Sequence, residues 1–383
     1  MPPHLRVAPT QIYPFPLLSF KIVLHIHPAS RVPTIKIDGA NVDVAFYHSI
    51  PVDAPFNQKR GSEGLRLVDK ARLDHLRFRH AAGKHRSKQL EPARRRNEDL
   101  ASHPFFGNVR LTVGKGDLSF GGSLRAIGRV WAVTDHGNID IGAQASMRIN
   151  ELHLEARKGS ILVGKGSQLE ARDVVNMLSN NAGDVHTTED VVVSATRATA
   201  EARQGSVVAS FSEWKTNHTL VFNGLKGVVA QVGIAPPYRP ELGVGTEQRP
   251  WVSIDARSPQ GEVNVRFKTY VPNTPLRGTF RSDTADVDIV LHREYAGSYH
   301  VVSSSLAGSE VTSPKDLSDD AGGRDRMYSS QNNSTAARFE STGEIWWKEH
   351  GKSSKQPQGE EWGSIDIAAQ SGVAHLAFDT RSA

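Results

Sequence analysis

The chain has no cysteine among its 383 residues. That excludes a disulfide framework, a cysteine nucleophile, thiolate zinc and Cys-ligated iron–sulfur clusters. Long apolar runs are also missing. The richest stretch, Ile12 to His25, is broken by Pro14, Pro16 and Lys21, and it is shorter than the roughly 18–20 residues of a spanning helix. No transmembrane segment is expected. Only Arg6 precedes that stretch as a basic residue, and no clear small-residue cleavage pattern follows it. Intracellular residence is therefore the default expectation, with the cell surface left open. Glycine (33) and proline (20) stand near ordinary frequency, which excludes collagen-like and wholly disordered chains.

The net charge of +5 is unevenly placed. Residues 1–100 carry 17 Lys+Arg against 9 Asp+Glu, while the remainder is slightly acidic. The excess belongs to residues 59–96, with 13 Lys+Arg, three His and four acidic residues. Leu65, Val68, Leu73, Leu76 and Phe78 give this segment an imperfect helical stripe, so residues 59–104 are expected to be a linker or a partly helical insert. Arg77, Arg79, Lys84, Arg86, Lys88, Arg94, Arg95 and Arg96 are its candidate contacts to nucleic acid or anionic lipid, acting by counterion release. A solvated linker is the simpler account, because no series of aromatics is interleaved for base stacking.

Before the insert, Leu18, Phe20, Ile22 and Leu24 alternate, as do Ile35, Ile37 and Val42, Val44, Phe46. Residues 1–58 therefore read as an N-terminal β segment. After it comes a repeat. Gly116, Gly137, Gly159, Gly183, Gly205, Gly227 and Gly261 each precede a short strand-like run. Ala285, Gly343 and Gly363 extend the series. The position two after the anchor is always apolar, and so is the position four after, except at Thr187 and Gln231. Anchors from 116 to 227 are 21, 22, 24, 22 and 22 residues apart. Glycine at such a site supplies the positive φ of a tight turn, and period-2 alternation turns one face of each strand inward. A second strand lies in each period, as at Leu152, Leu154 and Ala156. Such units bury their faces only by stacking, which predicts an all-β fold, a β-solenoid of about 22-residue coils over residues 105–302. An antiparallel sandwich fits the fixed two-strand period less well. Residues 303–338, rich in Ser, Asp, Gly and Asn, are expected to form a disordered excursion. Residues 339–383 should then close or cap the stack.

The runs HGNIDIG, KGSILVG, QGSVVAS and QGEVNVRF resemble the adhesin-type β-solenoid domains of bacterial and fungal proteins. The resemblance covers residues 105–295 well and the last strands loosely. It implies a stacked β scaffold with a role in adhesion or surface interaction, and no catalytic residues to transfer.

Candidate chemistry is sparse. Gly159 to Gly166 nearly spells a phosphate loop, but glycine follows Lys165 where Ser or Thr is required. Asp283, Asp286 and Asp288 form an acidic group that could serve a carbohydrate lyase or hydrolase, with Arg266, Lys268, Arg277 and Arg281 nearby in sequence. A solvated strand face explains it as well. His25 and His27 at strand spacing lack a third ligand, so no metal site and no cofactor are expected. Trp346 and Trp347 should face opposite sides of a strand, and with Trp362 they either cover the end of the stack or stack on a sugar ring. The expectation is a non-enzymatic interaction scaffold with an unidentified protein or glycan partner. The alternatives are a β-helix carbohydrate-active enzyme, and a nucleic-acid or anionic-membrane binder through residues 59–96.

Overall fold

A computed structural model describes residues 108–126, 128–211, 218–234, 251–270, 274–305, 308–312, 324–349 and 362–379, together with four N-terminal strands. Those four are β1 (Ser19–His25), β2 (Ile35–Gly39), β3 (Val44–His48) and β4 (Gly64–Lys70). Then follow β5 (Val109–Lys115), β6 (Leu118–Arg125), β7 (Arg129–His136), β8 (Ile139–Ile141), β9 (Ser146–Lys158), β10 (Ile161–Val163), β11 (Gln168–Asn181), β12 (Val185–Thr187), β13 (Val192–Ser194) and β14 (Arg197–Ala202). The upper coils hold β15 (Ser206–Phe211), β16 (His218–Gly224), β17 (Gly227–Gly233), β18 (Val252–Ser258), β19 (Val263–Thr269), β20 (Leu276–Ser282) and β21 (Val287–Leu291). The remaining strands are β22 (Gly297–Ser303), β23 (Glu310–Val311), β24 (Arg324–Asn332), β25 (Phe339–Glu349), β26 (Gly363–Ala369) and β27 (Ala374–Phe378). Among the described residues there is no helix.

The chain is a parallel β-solenoid. One layer, the front sheet, stacks β2, β5, β7, β9, β11, β14, β16, β18, β20 and β26 in parallel. The back sheet stacks β3, β6, β8, β10, β12, β15, β17, β19, β21 and β27. Between them lies a single core. Leu111, Val130, Leu154, Met177, Phe222, Ile254 and Phe280 enter from the front, and Leu118, Ile139, Ile161, Val207, Val265 and Ile289 from the back. The alternation that predicted this core is therefore the alternation that builds it. In the lower coils a short third side, made by the ends of β6, β9 and β11 with β13, widens the cross-section.

The anchor residues form a column at one corner, but not all for the expected reason. A Cβ on Gly137, Gly159, Gly183, Gly205 or Gly261 would lie 1.8–2.1 Å from the carbonyl oxygen of the residue one coil below. Close approach of two backbones, and not turn conformation alone, demands glycine there. Positive φ is present at Gly116, Gly137 and Gly159, but not at Gly183, Gly205 or Gly261. The position after the anchor forms a second ladder. Asp117 Oδ1 accepts from Asn138 N, Asn138 Oδ1 from Ser160 N, and Asp184 Oδ1 from Ser206 N. Buried Thr134, Ser179 and Ser282 cap the corner by donating to the carbonyls of Gly116, Gly159 and Gly261, which satisfies polar groups that water cannot reach.

Gly227 is out of phase. Ser206 pairs with Gly227, and the N–H of Lys226 donates to the Gly205 carbonyl. Lys226 therefore holds the anchor place, and Val228, Ala230 and Val232 point inward. This slip of one residue explains Gln231, which breaks the apolar rule because it lies on the outer face. Thr187, the other exception, is buried and accepts a bond from Ser210 N at 2.7 Å. Gly343 lies inside β25 and Gly363 opens a front-sheet strand, so neither is a corner anchor. The corner residue of the last coil is Gly372, whose Cβ would meet the Ala285 oxygen at 2.2 Å.

The two ends also differ from expectation. Of the N-terminal β segment, β2 and β3 do not stand apart, because they pair in parallel with β5 and β6 as a further coil. Within the basic insert, residues 64–70 are strand and not helix, since β4 pairs antiparallel with both β3 and β1. The described residues within 303–338 include β23 and β24, so that part is not structureless. Their polar composition hid strands ordered by pairing: β24 forms a hairpin with β25, and β25 bonds back to β22. Finally, β26 and β27 do not cap the stack. They enter it as a coil, with β26 bonded to β20 on one side and β22 on the other. The antiparallel β25–β24 pair forms the actual cap, covering a parallel edge that would otherwise be open to association.

One buried group gives this core a pH dependence. His218 opens β16, is fully buried, and burial pushes its pKa down to about 4. An unfolded histidine titrates near 6.5. As pH falls from about 6.5 to 4, the unfolded chain takes up a proton that the folded chain refuses, so stability present above pH 6.5 is lost across this window, by about 3 kcal/mol. Urea melts at stepped pH should show this slope, and His218→Met should flatten it. Equal slopes in both proteins would remove His218 as the cause.

Candidate functional site

The outer face of the front sheet forms a groove of about 840 Å³ near the C-terminal end of the stack. It is built where β18, β20, β26, β22, β25 and β24 lie side by side. Register decides its contents. One row reads Ser253, Arg277, Ser364, Ser298, Glu344 and Ser329 across those strands, and the next reads Asp255, Thr279, Asp366, His300, Thr342 and Gln331. Every residue of both rows has the outward parity of its strand, opposite to buried Ile254, Phe280, Ile365, Tyr299 and Ile345. Strand neighbours stand about 4.8 Å apart, so the groove floor is a regular grid of hydroxyls, amides and a few charges.

His300 sits at its centre. Its Nδ1 lies 3.2 Å from Asp366 Oδ1 and its Nε2 lies 3.3 Å from Glu340 Oε1. Arg281 reaches the other oxygen of Asp366 at 3.1 Å, and Arg338 lies 3.4 Å from Glu340 Oε2. These exposed pairs contribute little stability, of order 0–1 kcal/mol each, but they fix the imidazole between two strands that flank its own. Beneath the floor, Tyr299 is buried, and desolvation raises its pKa. At the cap, the Arg326 guanidinium lies over the rings of Trp347 and Phe378, and one of its nitrogens donates to the Tyr295 carbonyl at 3.1 Å. Burial lowers the Arg326 pKa to about 10, which leaves it charged at neutral pH. It pins β24 to the stack and so sets the groove's far wall.

Of the acidic group read from sequence, Asp286 and Asp288 share the outward parity opposite buried Val287 and Ile289. Asp286 belongs to the corner ladder, and its Oδ1 accepts from Val373 N at 2.7 Å. Asp288 lies on the outer face of the back sheet, in register with Asn264 and His375. Arg277 and Arg281 are on the front sheet, with the core between them and Asp288. The phosphate-loop resemblance is likewise accounted for by the repeat. Ile161, Gly164 and Gly166 give their N–H groups to carbonyls of Asp184, Ile141 and Glu189, and Lys165 Nζ lies 3.6 and 3.5 Å from Glu189 and Asp190. Among the described residues no cluster of three His, Asp or Glu side chains is placed to hold a metal ion, and no helix is long and apolar enough to cross a membrane. The eight basic contact residues from Arg77 to Arg96 lie outside the described residues, as does His27.

Sequence reasoning compared His153 only with His136 and His186, which are out of phase with the repeat, and drew no group from it. The His153 ring lies tilted at 33° against the exposed Trp131 ring with centroids 4.0 Å apart, and it bonds Asn176 at 3.0 Å. Its row neighbours Trp131 and Asn176 are 22 and 23 residues away, so matching residues one coil apart would have found the group. His300 had no such signal, since its partners are 40 and 66 residues distant.

The fold and this groove define a class, a parallel β-solenoid that carries a polar groove on one outer face. No family model, no curated protein and no solved structure matches the chain.

Proposed function

We propose that this chain is a non-enzymatic, adhesin-like interaction scaffold that receives an extended ligand in the front-sheet groove. The observation that carries the reading is the groove itself, a floor of Ser, Thr and Gln side chains drawn from six neighbouring strands. Backbone groups of all these strands but the edge strand β24 are committed to the ladder on both sides, so recognition on the open face falls to side chains in fixed rows. The carboxylates nearest the centre are already paired, Asp366 with Arg281 and His300, and Glu340 with His300 and Arg338.

The test is a glycan and protein array probed with the labelled full-length chain and with Ser364→Arg, an exposed substitution that fills the groove. Ligands retained by the parent and lost by the variant are expected, with no reducing or unsaturated sugar ends released. Release of such ends, or retention unchanged by Ser364→Arg, would defeat the proposal.

A further inference from the structure

Three of the six tryptophans fall on one row beside the groove. Trp251 directly precedes β18, Trp362 directly precedes β26, and Trp346 lies on β25. The registers Val252↔Leu276, Gly297↔Gly363 and Gly297↔Ile345 continued by one residue, and Arg277↔Ser364 continued by two, give the order Trp251, Pro275, Trp362, Ala296, Trp346. The backbone bonds Val252 N to Pro275 O and Gly363 N to Ala296 O agree with that order. Indoles therefore alternate with small residues, and successive indoles stand two strand spacings apart, about 10 Å. The adjoining row is the polar one of Ser253, Arg277, Ser364, Ser298 and Glu344. Trp251 is 40% exposed, Trp362 and Trp346 are half-buried, and the Trp346 Nε1 is itself buried, with no hydrogen-bond partner among the described residues.

An indole offers an apolar face and a polar edge, which suits a sugar ring bearing C–H groups on its face and hydroxyls on its rim. In an extended β-linked chain the ring faces stay in line, and every second ring repeats at about the spacing of these indoles. A coiled α-linked chain does not keep its ring faces in line. The groove carries charges of both signs and no positive excess, with Arg277, Arg281 and Arg338 set against Asp255, Glu340, Glu344 and Asp366. That balance fits a neutral chain and not a polyuronide.

We infer that the groove binds an unbranched, neutral, β-linked polysaccharide laid across the strands along the stack axis. Alternate rings stack on Trp251, Trp362 and Trp346, and their hydroxyls reach the adjoining Ser and Thr side chains. This rests on the reading of the groove as the ligand site and names the ligand class. A pentasaccharide engages all three indoles and a disaccharide only one.

The experiment uses the full-length chain in affinity gels containing hydroxyethyl cellulose, glucomannan or dextran, with tryptophan fluorescence titrations of β-1,4-linked oligosaccharides. Retardation by the two β-linked polymers and not by dextran is expected, and the pentasaccharide should bind at least tenfold more tightly than the disaccharide. Trp251→Ala, at an exposed position, should weaken binding about tenfold with unchanged circular dichroism and melting. Should Trp362→Ala disturb folding, the length dependence still tests the indole row. Failure of β-linked chains to bind, equal retardation by dextran, or Trp251→Ala binding like the parent would each overturn the inference. If Ser364→Arg abolishes capture of some other ligand that Trp251→Ala leaves intact, the scaffold reading stands and the polysaccharide inference falls.

Discussion

Gly183→Ala is expected to unfold the centre of the stack. Its new methyl would lie 1.9 Å from the Gly159 carbonyl oxygen and 2.7 Å from Ser179 Oγ. Both are held in the corner, because Ser179 donates to that same carbonyl. Neither can withdraw without breaking a buried bond, so the two coils must part. Each coil contacts only its neighbours, and a fault at one interface divides the stack into two shorter pieces. A loss of at least about 4 kcal/mol follows, in the range reserved for strain and broken buried networks. Gly166→Ala provides the contrast. Gly166 has a φ of +71°, but an added Cβ meets only Gln144 Cγ, at 3.7 Å. That substitution carries only the left-handed backbone penalty, about 1–2 kcal/mol. Urea unfolding followed by circular dichroism compares them. Equal losses would mean that close approach does not govern the corner.

Removing residues 362–383 should disorder far more than it deletes. As a terminal cap, β26 and β27 could be lost with the rest of the stack intact. Instead they form an inner coil. In the front sheet β26 bridges β20 and β22, and in the back sheet β27 bridges β21 and β23. Ile365, Ile367, Leu376 and Phe378 are all buried, each worth about 1.5–3 kcal/mol on burial. Without them, β22, β25 and β24 lose the strand pairing that joins them to the main front sheet among the described residues. Limited proteolysis with mass mapping is expected to cut residues 297–349 rapidly in the shortened chain while residues 108–234 stay protected. Persistent protection of residues 297–349 would show that the cap holds without the inserted coil. The groove should vanish with it, because Ser364 and Asp366 supply the middle of its floor.

The period of the repeat was legible because it is a local property. Alternating pairs such as Ile139 with Ile141 and Ile161 with Val163 state which side of a strand is apolar, and the even spacing of Gly116 to Gly205 states that the strands stack. Those features determined by themselves that the fold is all-β and that its coils lie in parallel register. They did not reveal phase or order. The step from Gly205 to Lys226 keeps the apparent period of 22 if Gly227 is counted, so the slip is visible only in the pairing of Ser206 with Gly227. Nor did the order of strands in sequence reveal their order in space, since the pairing of β20 with β26 joins residues more than 80 positions apart. The candidate site depends on that pairing. Trp346 and Trp362 were conspicuous in the sequence, but their alignment with Trp251, and the enclosure of His300 between Asp366 and Glu340, arise from register between distant strands. Local pattern records the face a residue takes, because burial follows the alternation of one strand. Which residues become neighbours across strands is set by the closing of long loops and the matching of whole faces, and only the tertiary structure carries that.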